Sequence, residues 1–280
     1  MTNRRRVLAL ATAAAAVAAA PALARIHWRV PPEQPDRSKA FIEAMTSGLI
    51  ADLARRGAKA ALVFRAGLKR EDMPPETAYT HGALWLRREL APRLAAGDDA
   101  ADPLDAFVVF GLFTGDGRDA PRSHSVLRIE RPTDFMRRSI EDDVGVVVPT
   151  PAVQDALAAV VASPTYEAMR LPRYSALANP FKREFQNCDV FLLYVVGAAA
   201  WSTSDPEQVR RRLVADAFEP TYVAAPRILA DLAPLIDSRV SMADQGERIE
   251  TATYESIARF MVREQLASDA YVFKAPNEPS

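Results

Sequence analysis

The apolar positions along the chain follow two periods, which together predict a mixture of helices and strands. Residues 38–56 carry their large apolar side chains on one stripe of period 3.6 and are followed by Gly57, a pattern that predicts a helix. Shorter apolar or alternating runs, such as Lys59–Ala66 and Tyr79–Leu86, predict strands. The same criteria predict strands at Asp105–Phe113, Ser125–Glu130 and Val144–Val148, and helices at about 133–140 and 152–162.

The second half of the chain contains an irregular stretch, Ser163–Asn187, which continues into Cys188–Ala200, a segment that is apolar on nearly every side. Thirteen residues cannot span a bilayer, so Cys188–Ala200 predicts a buried core helix. Residues 205–266 are predicted to be mostly helical, with one strand candidate at Arg248–Ala252. Because no repeat or flexible linker divides the chain, we predict one α+β domain over 38–280 with a helical C-terminal extension.

The N-terminus differs from the rest of the chain. Residues 1–24 combine three arginines, an apolar Ala/Val/Leu stretch and a small-residue cleavage site that ends at Ala24. This pattern predicts a secretory signal peptide and a periplasmic location. The run Asn3–Leu8 also resembles a twin-arginine signal, so both export routes remain open. Residues 25–37 are rich in proline and predict an extended arm.

Composition and charge exclude several classes of function. The chain has 35 Lys+Arg against 36 Asp+Glu, which argues against a nucleic-acid partner because such proteins carry a basic excess. Three His and one Cys exclude a disulfide scaffold and a zinc finger. No phosphate-binding or dinucleotide-binding motif is present. We therefore expect no metal, no organic cofactor and no membrane span once the signal is removed.

Two short motifs carry candidate chemistry. Asn187 is a good N-cap, which would place Cys188 in the first turn of a helix, where the helix dipole favours a thiolate. His81 lies on a predicted strand beside Gly82, which allows close backbone approach, and could act as the base for a thiol nucleophile. The alternative is that Cys188 is a small core residue and His81 a half-buried strand residue bonded to backbone.

The order of the two motifs resembles the circularly permuted relatives of the NlpC-type papain-like fold. That group, which includes lecithin retinol acyltransferase, has a strand with His-Gly followed much later by Asn-Cys at the start of a helix. The resemblance implies an antiparallel sheet packed on helices, with Cys188 as the nucleophile and His81 as the base.

The pattern also implies a polar residue on the strand after the histidine, which would fix the imidazole tautomer. Phe110 and Gly111 occupy the corresponding strand here, and His124, Asp116 or Asp105 are the substitutes that lie nearest in sequence. Without this third catalytic member, the protein would be a weakened enzyme or a binding module. Candidates for oxyanion donors are the Cys188 backbone N–H with Gln186 or Tyr174.

A wider resemblance covers roughly residues 36–266. The sequence resembles the bacterial family called domain of unknown function 2145, which implies an exported or envelope protein with no established activity. The matching pieces are Ala61–Val63, Tyr79–Gly82, Thr133–Phe135, Val147–Pro149 with Pro151, Tyr174-Ser175, Asn179–Phe181, Phe185–Asn187 and Thr251–Ser256.

Three functional hypotheses follow. The leading one is an exported thiol hydrolase or acyltransferase that acts on an amide or ester, with Cys188 and His81 in the roles given above. The second is a non-catalytic envelope module on the same fold that binds a peptide, a lipid or a partner protein. The third is a redox-sensing thiol, because Cys188 is the only cysteine and cannot form an internal disulfide.

Overall fold

A computed structural model of the protein describes residues 37–92, 102–224 and 233–275. The predicted signal peptide and the arm up to residue 36 lie outside the described residues. The strands are β1 (Ala60–Arg65), β2 (His81–Arg87), β3 (Phe107–Thr114), β4 (Ser125–Glu130), β5 (Asp143–Pro149), β6 (Thr221–Val223), β7 (Ile249–Thr251) and β8 (Ala267–Lys274). The α-helices are α1 (Lys39–Arg55), α2 (Pro132–Met136), α3 (Pro151–Val161), α4 (Thr165–Ala168), α5 (Cys188–Ala200), α6 (Pro206–Ala215), α7 (Ala233–Ile236) and α8 (Tyr254–Arg263).

Six strands form one antiparallel sheet in the order β4-β3-β2-β1-β5-β8, and β6 pairs with β7 separately. The mixed α+β architecture with an antiparallel sheet confirms the predicted class. The central strands are buried on both faces: every residue of β1 is inaccessible or nearly so. This burial explains why their sequences are apolar runs rather than strict alternations.

Helices cover both faces of the sheet. On one face α1 and α2 pack against alternate residues of the strands, including Val63, Ala83 and Trp85. On the other face α3, α5 and α8 pack against the intervening residues, such as Phe64 and Leu84. Successive side chains of β2 therefore contact opposite helix layers in alternation.

The helix α5 lies in the middle of the second layer and begins and ends where the sequence predicts. Twelve of its residues, from Cys188 to Ala199, are buried. A helix that is apolar on every side is stable only when other elements surround it, and here the sheet, α3 and α6 do so. Within the described residues, no helix is both long enough and apolar enough to cross a membrane.

The predicted helical C-terminal extension is only partly correct. Residues 205–266 contain α6 and α8, but β6 and β7 form a small two-stranded ladder between them. Beyond α8 the chain adds β8 to the edge of the main sheet, against β5. The sequence does not predict β8, because this strand combines small and charged residues with only two aromatic ones. Those two, Tyr271 and Phe273, are partly buried against the α1 layer.

The irregular stretch between α3 and α5 contains α4 and is otherwise held by isolated pairings. Backbone bridges join His124 to Arg173 and Tyr174 to Gln186. These bridges bring the end of the stretch beside the start of α5, where the chain forms one wall of the cavity described next.

Candidate functional site

A cavity of about 320 Å³ lies at the end of the sheet where β1 and β3 finish and β2 begins. The loop between β1 and β2 forms one wall, and residues 174–177, 237–240 and 251–253 contribute to the others. Cys188 and His81 both line this cavity, together with Asp189 and Arg65. Most of the remaining lining is apolar and includes Leu68, Met73, Leu177, Val223 and Val240.

The start of α5 is anchored to two cavity walls by Asn187, which is its N-cap. The Asn187 side-chain oxygen accepts from the Val190 N–H at 2.8 Å. Its Nδ2 donates to the Ala176 carbonyl and to Thr251 Oγ1, each at 3.0 Å. The cap therefore fixes the position of Cys188 as well as satisfying the first turn.

The Cys188 thiol lies against the backbone at the start of β2. Its Sγ is 3.7 Å from the Thr80 carbonyl oxygen, to which it donates. Burial raises the pKa of the Cys188 thiol well above its usual value, and the Asp189 carboxylate raises it further, while the Gly82 N–H opposes both effects. Desolvation and the adjacent acid therefore act against the thiolate that the helix dipole would favour.

Gly82 allows the first turn of α5 to approach β2 closely. A Cβ at Gly82 would lie 2.6 Å from the Phe64 ring and 2.7 Å from Asp189 Oδ1. Gly82 and its cross-strand partner Phe64 therefore face α5. This close approach is the physical reason for glycine after the histidine.

Asp189 is a site residue that was not predicted from the sequence. It is 4% exposed, and its Oδ1 is buried without a hydrogen-bond partner. Burial raises the pKa of the Asp189 carboxyl to about 7, although the Cys188 thiol and the Gly82 N–H lower it. The available signal was the presence of one acid in a helix that is otherwise apolar on every side.

His81 faces the other helix layer. Its ring centroid lies 4.5 Å from that of Phe113 and 5.8 Å from that of Phe135. Burial lowers the pKa of His81 well below its usual value, and Arg65 and Arg138 lower it further. His81 Nε2 is buried without a partner, and no hydrogen bond joins the ring to Cys188 within the described residues. The two predicted catalytic residues thus share a cavity but approach it from opposite sides of β2.

Arg65 lies directly across from His81 in the β1–β2 ladder. Its Nη1 donates to the Arg138 carbonyl at 2.9 Å, and its guanidinium lies 5.2 Å from the centroid of the Phe135 ring. Burial and the nearby Arg138 lower the pKa of Arg65 to about 10. This residue was not predicted either, because an arginine at the end of an apolar strand is ordinary in sequence.

The three orienting candidates have different positions. Gln186 is fully buried, and its side chain accepts from the Leu171 N–H at 2.8 Å and donates to the Met169 carbonyl at 3.0 Å. These bonds hold the chain before α5 and occupy the amide. Tyr174 lines the cavity, and burial raises the pKa of its hydroxyl. His124 is exposed beside Ser123 and is not among the residues that line the cavity.

The two acidic residues considered as a third catalytic residue form hydrogen bonds outside the cavity. Asp105 accepts from Arg131 Nε at 2.8 Å, and Asp116 accepts from backbone N–H groups of its own turn. Strand β3 contributes Phe113 and Thr114 to the cavity instead. Among the described residues, no group of three or more His, Cys, Asp or Glu side chains is arranged to hold a metal ion.

Comparison with known proteins supplies the family but no activity. No curated protein and no solved structure matches the chain. One family model, described as an uncharacterized protein conserved in bacteria (DUF2145), matches residues 52–261. The match covers the sheet from β1 to β5, the helix α5 and most of α8, and therefore the cavity. The chain belongs to the DUF2145 family.

Proposed function

We propose that this protein is a thiol-dependent acyl-transfer enzyme, a hydrolase or acyltransferase that acts on an amide or ester. The observation that supports the proposal is that the only cysteine, at the capped start of α5, lines one mostly apolar cavity together with His81. A buried apolar cavity with a few convergent polar groups is the usual form of a small-molecule site.

In the proposed reaction, Cys188 Sγ attacks the carbonyl carbon of the substrate, and the thiol proton passes to His81 as the carbonyl oxygen takes up negative charge. The backbone N–H of Cys188, in the first turn of α5, stabilises this oxygen. The carbon–nitrogen or carbon–oxygen bond then breaks, and the leaving group takes the proton from His81. Water or an alcohol attacks the thioester, releases the acyl group and restores the thiol.

Because thiol and imidazole are both neutral at rest, this proposal requires that substrate binding bring them together. Proton-transfer contacts are often long in unliganded enzymes and shorten in the complex. His81 Nε2 has no partner among the described residues, so no existing bond must break when the ring meets a substrate or the thiol.

The test is to trap the acyl-enzyme. The full chain is mixed with p-nitrophenyl acetate, and the acetylated residue is identified by mass spectrometry. We expect acetylation at Cys188, its absence in Cys188→Ala, and a rate lowered by about 10²–10⁴-fold in His81→Gln. His124→Gln is the matched control, because His124 is exposed outside the cavity. Acetylation confined to lysines, or a rate unaffected by His81→Gln, would contradict the proposal.

The second candidate is a binding module without turnover. It is favoured by a specific observation: burial opposes both the thiolate and the imidazolium, and no hydrogen bond links Cys188 to His81 in the described residues. In that case Cys188→Ala should retain ligand binding, and no acyl-enzyme should form with any activated ester.

We also propose that the protein is exported to the periplasm, because residues 1–24 have the composition of a signal peptide. Mass spectrometry of the protein recovered from a periplasmic fraction should give an N-terminus at Arg25. Recovery of the full-length chain from the cytoplasm alone would contradict export. Replacing Arg4 and Arg5 by lysine separates the routes, because this change blocks twin-arginine export and leaves the other route open.

A further inference from the structure

The cavity contains a buried positive charge that no described acid neutralises directly. Arg65 is 7% exposed and forms no ion pair with any described residue. The acid that most affects it is Glu130. One oxygen of the Glu130 carboxylate is bound to the Arg138 guanidinium, and the other, Oε2, is buried without a partner among the described residues. Arg65, Arg138 and Glu130 together therefore carry one net positive charge. The carboxylates of Asp189 and Asp237 also line the cavity, but Asp237 is paired with Arg239 and neither forms an ion pair with Arg65. An uncompensated buried charge is costly, so a protein retains one where a ligand supplies the counter-charge.

Two hydrogen-bonding nitrogens at the same place also lack partners. Arg65 Nε and His81 Nε2 are each buried without a partner among the described residues. The two residues are direct cross-strand neighbours in the β1–β2 ladder, so their side chains project from the same face of the sheet. Both line the cavity, and His81 is 9% exposed.

We propose that Arg65, beside His81, forms a carboxylate-binding subsite, so that the ligand of this cavity is an apolar molecule that carries a free carboxylate. A guanidinium matches a carboxylate in shape and charge and holds it with paired hydrogen bonds. A single negative charge balances the single excess positive charge, which favours a carboxylate over a phosphate. The apolar lining, including Leu177 and Val240, accommodates the rest of the ligand.

The inference deepens the proposed function by naming its substrate class, and it rests on that function only in using the same cavity. Binding is therefore measured separately from turnover, in the full chain carrying Cys188→Ala. If acyl transfer fails while the carboxylate binds, only the proposed reaction is contradicted. If acyl transfer succeeds and no preference for a carboxylate is found, only the proposed subsite is contradicted.

The test compares octanoate with octanamide, which differ little in shape and differ by one charge, by titration calorimetry. We expect octanoate to bind at least about tenfold more tightly, since hydrogen bonds to a charged group in a buried site contribute an effect of this size. Equal binding of the two compounds would overturn the subsite without any further variant. Tighter binding of octyl phosphate than of octanoate would overturn the assignment to a carboxylate.

Substitutions then assign the preference to Arg65. Arg65→Met should abolish the preference for octanoate, and Arg65→Lys should retain part of it, because lysine keeps the charge but loses the planar fork. Arg128→Met is the matched control: Arg128 is exposed on β4 and lies over the same Phe113 ring that contacts His81. A preference that survives in both Arg65 variants would overturn the proposal, and the Arg65→Lys result decides the case if Arg65→Met does not fold.

Discussion

Burial and the neighbouring Asp189 together set the state of the only cysteine in this protein. Its carboxylate adjoins the thiol in the first turn of α5, and both groups are buried. A negative charge beside a thiol opposes formation of a thiolate, so the acid keeps Cys188 protonated. Burial and the acid together therefore oppose reaction of a lone cysteine at a helix N-terminus, and neutralising the acid removes one of the two effects.

Replacing the acid should therefore activate the thiol. We expect Asp189→Asn to lower the pKa of Cys188 and to increase the rate of its alkylation by iodoacetamide near neutral pH, because the repelling carboxylate is removed. The measurement is the alkylation rate as a function of pH. Asp155→Asn, at an exposed position of α3, is the control and should leave the profile unchanged. Superimposable profiles for Asp189→Asn and the wild-type protein would contradict this account of the thiol.

Gly82 should resist even the smallest substitution. In Gly82→Ala the new methyl group would overlap the Phe64 ring and the Asp189 carboxylate, so we expect a loss of about 1–3 kcal/mol in the free energy of unfolding. Urea denaturation measures the loss. Gly246→Ala serves as the control, since a Cβ there meets no atom within 4 Å and should change stability by less than about 0.5 kcal/mol. Equal stability of the two variants would show that α5 can shift away from β2.

At the scale of elements, the sequence predicts those that are apolar throughout and misses those that lie at an edge. The bounds of α5 follow from an apolar run that begins after a capping asparagine, and β1 follows from a run buried on both faces. Strand β8 could not be predicted in this way, because no described strand pairs with its second edge and much of it remains accessible. Its position depends on a distant partner, β5, which no local pattern reveals.

The candidate site was predictable only in part: Cys188 and His81 could be named from the sequence, whereas Asp189, Arg65 and the geometry could not. Alternation along β2 places His81 with Ala83 and Trp85, and it places Gly82 on the opposite face. If Gly82 is the residue that approaches the cysteine helix, then His81 points away from that helix. The pairing of His81 with Arg65 depends on the β1–β2 register, which is set by tertiary structure.

The N-cap of α5 should contribute more than an ordinary cap. Asn187→Ala removes the bond to the Val190 N–H and leaves the Ala176 carbonyl and Thr251 without their donor, so we expect a loss of about 2–3 kcal/mol. The control is Asp205→Ala at the exposed start of α6, where the capping bond and an exposed ion pair with Arg211 are lost, at about 1 kcal/mol. Thermal or urea unfolding compares the two, and equal losses would mean that the cavity contacts of Asn187 contribute nothing.

At the scale of the whole molecule, Asp189 should make stability depend on pH. Its pKa is raised from an unfolded value near 3.9 to about 7, so the folded state binds more protons than the unfolded state between these values. Stability is therefore lost as pH rises through this window, and the loss is complete above about pH 7. His81 has the opposite effect. Its pKa is lowered in the folded state, so below the usual value near 6.5 the unfolded state binds more protons, and stability is lost as pH falls.

The contribution of Asp189 can be isolated by difference. Asp189→Asn should gain stability relative to the wild-type protein as pH rises from about 4 to about 7, by on the order of 2–4 kcal/mol, with no further change above this range. His81 titrates in both proteins and cancels. Urea denaturation at several pH values measures the difference, and a difference that is constant with pH would contradict the raised pKa of Asp189.

The bond between the Cys188 thiol and the Thr80 carbonyl joins residues that are 108 positions apart, and the Asn187 cap reaches a further 64 positions to Thr251. The contacts that bury the sulfur are therefore complete only after nearly the whole chain has been synthesised and has collapsed. Contacts between residues so far apart in sequence form slowly. Until then the thiol of a nascent chain is open to oxidants and to the cysteines of other proteins. The raised pKa that protects the Cys188 thiol is a property of the folded state. How long the thiol stays reactive during biogenesis therefore depends on how quickly the last third of the chain is synthesised and folds.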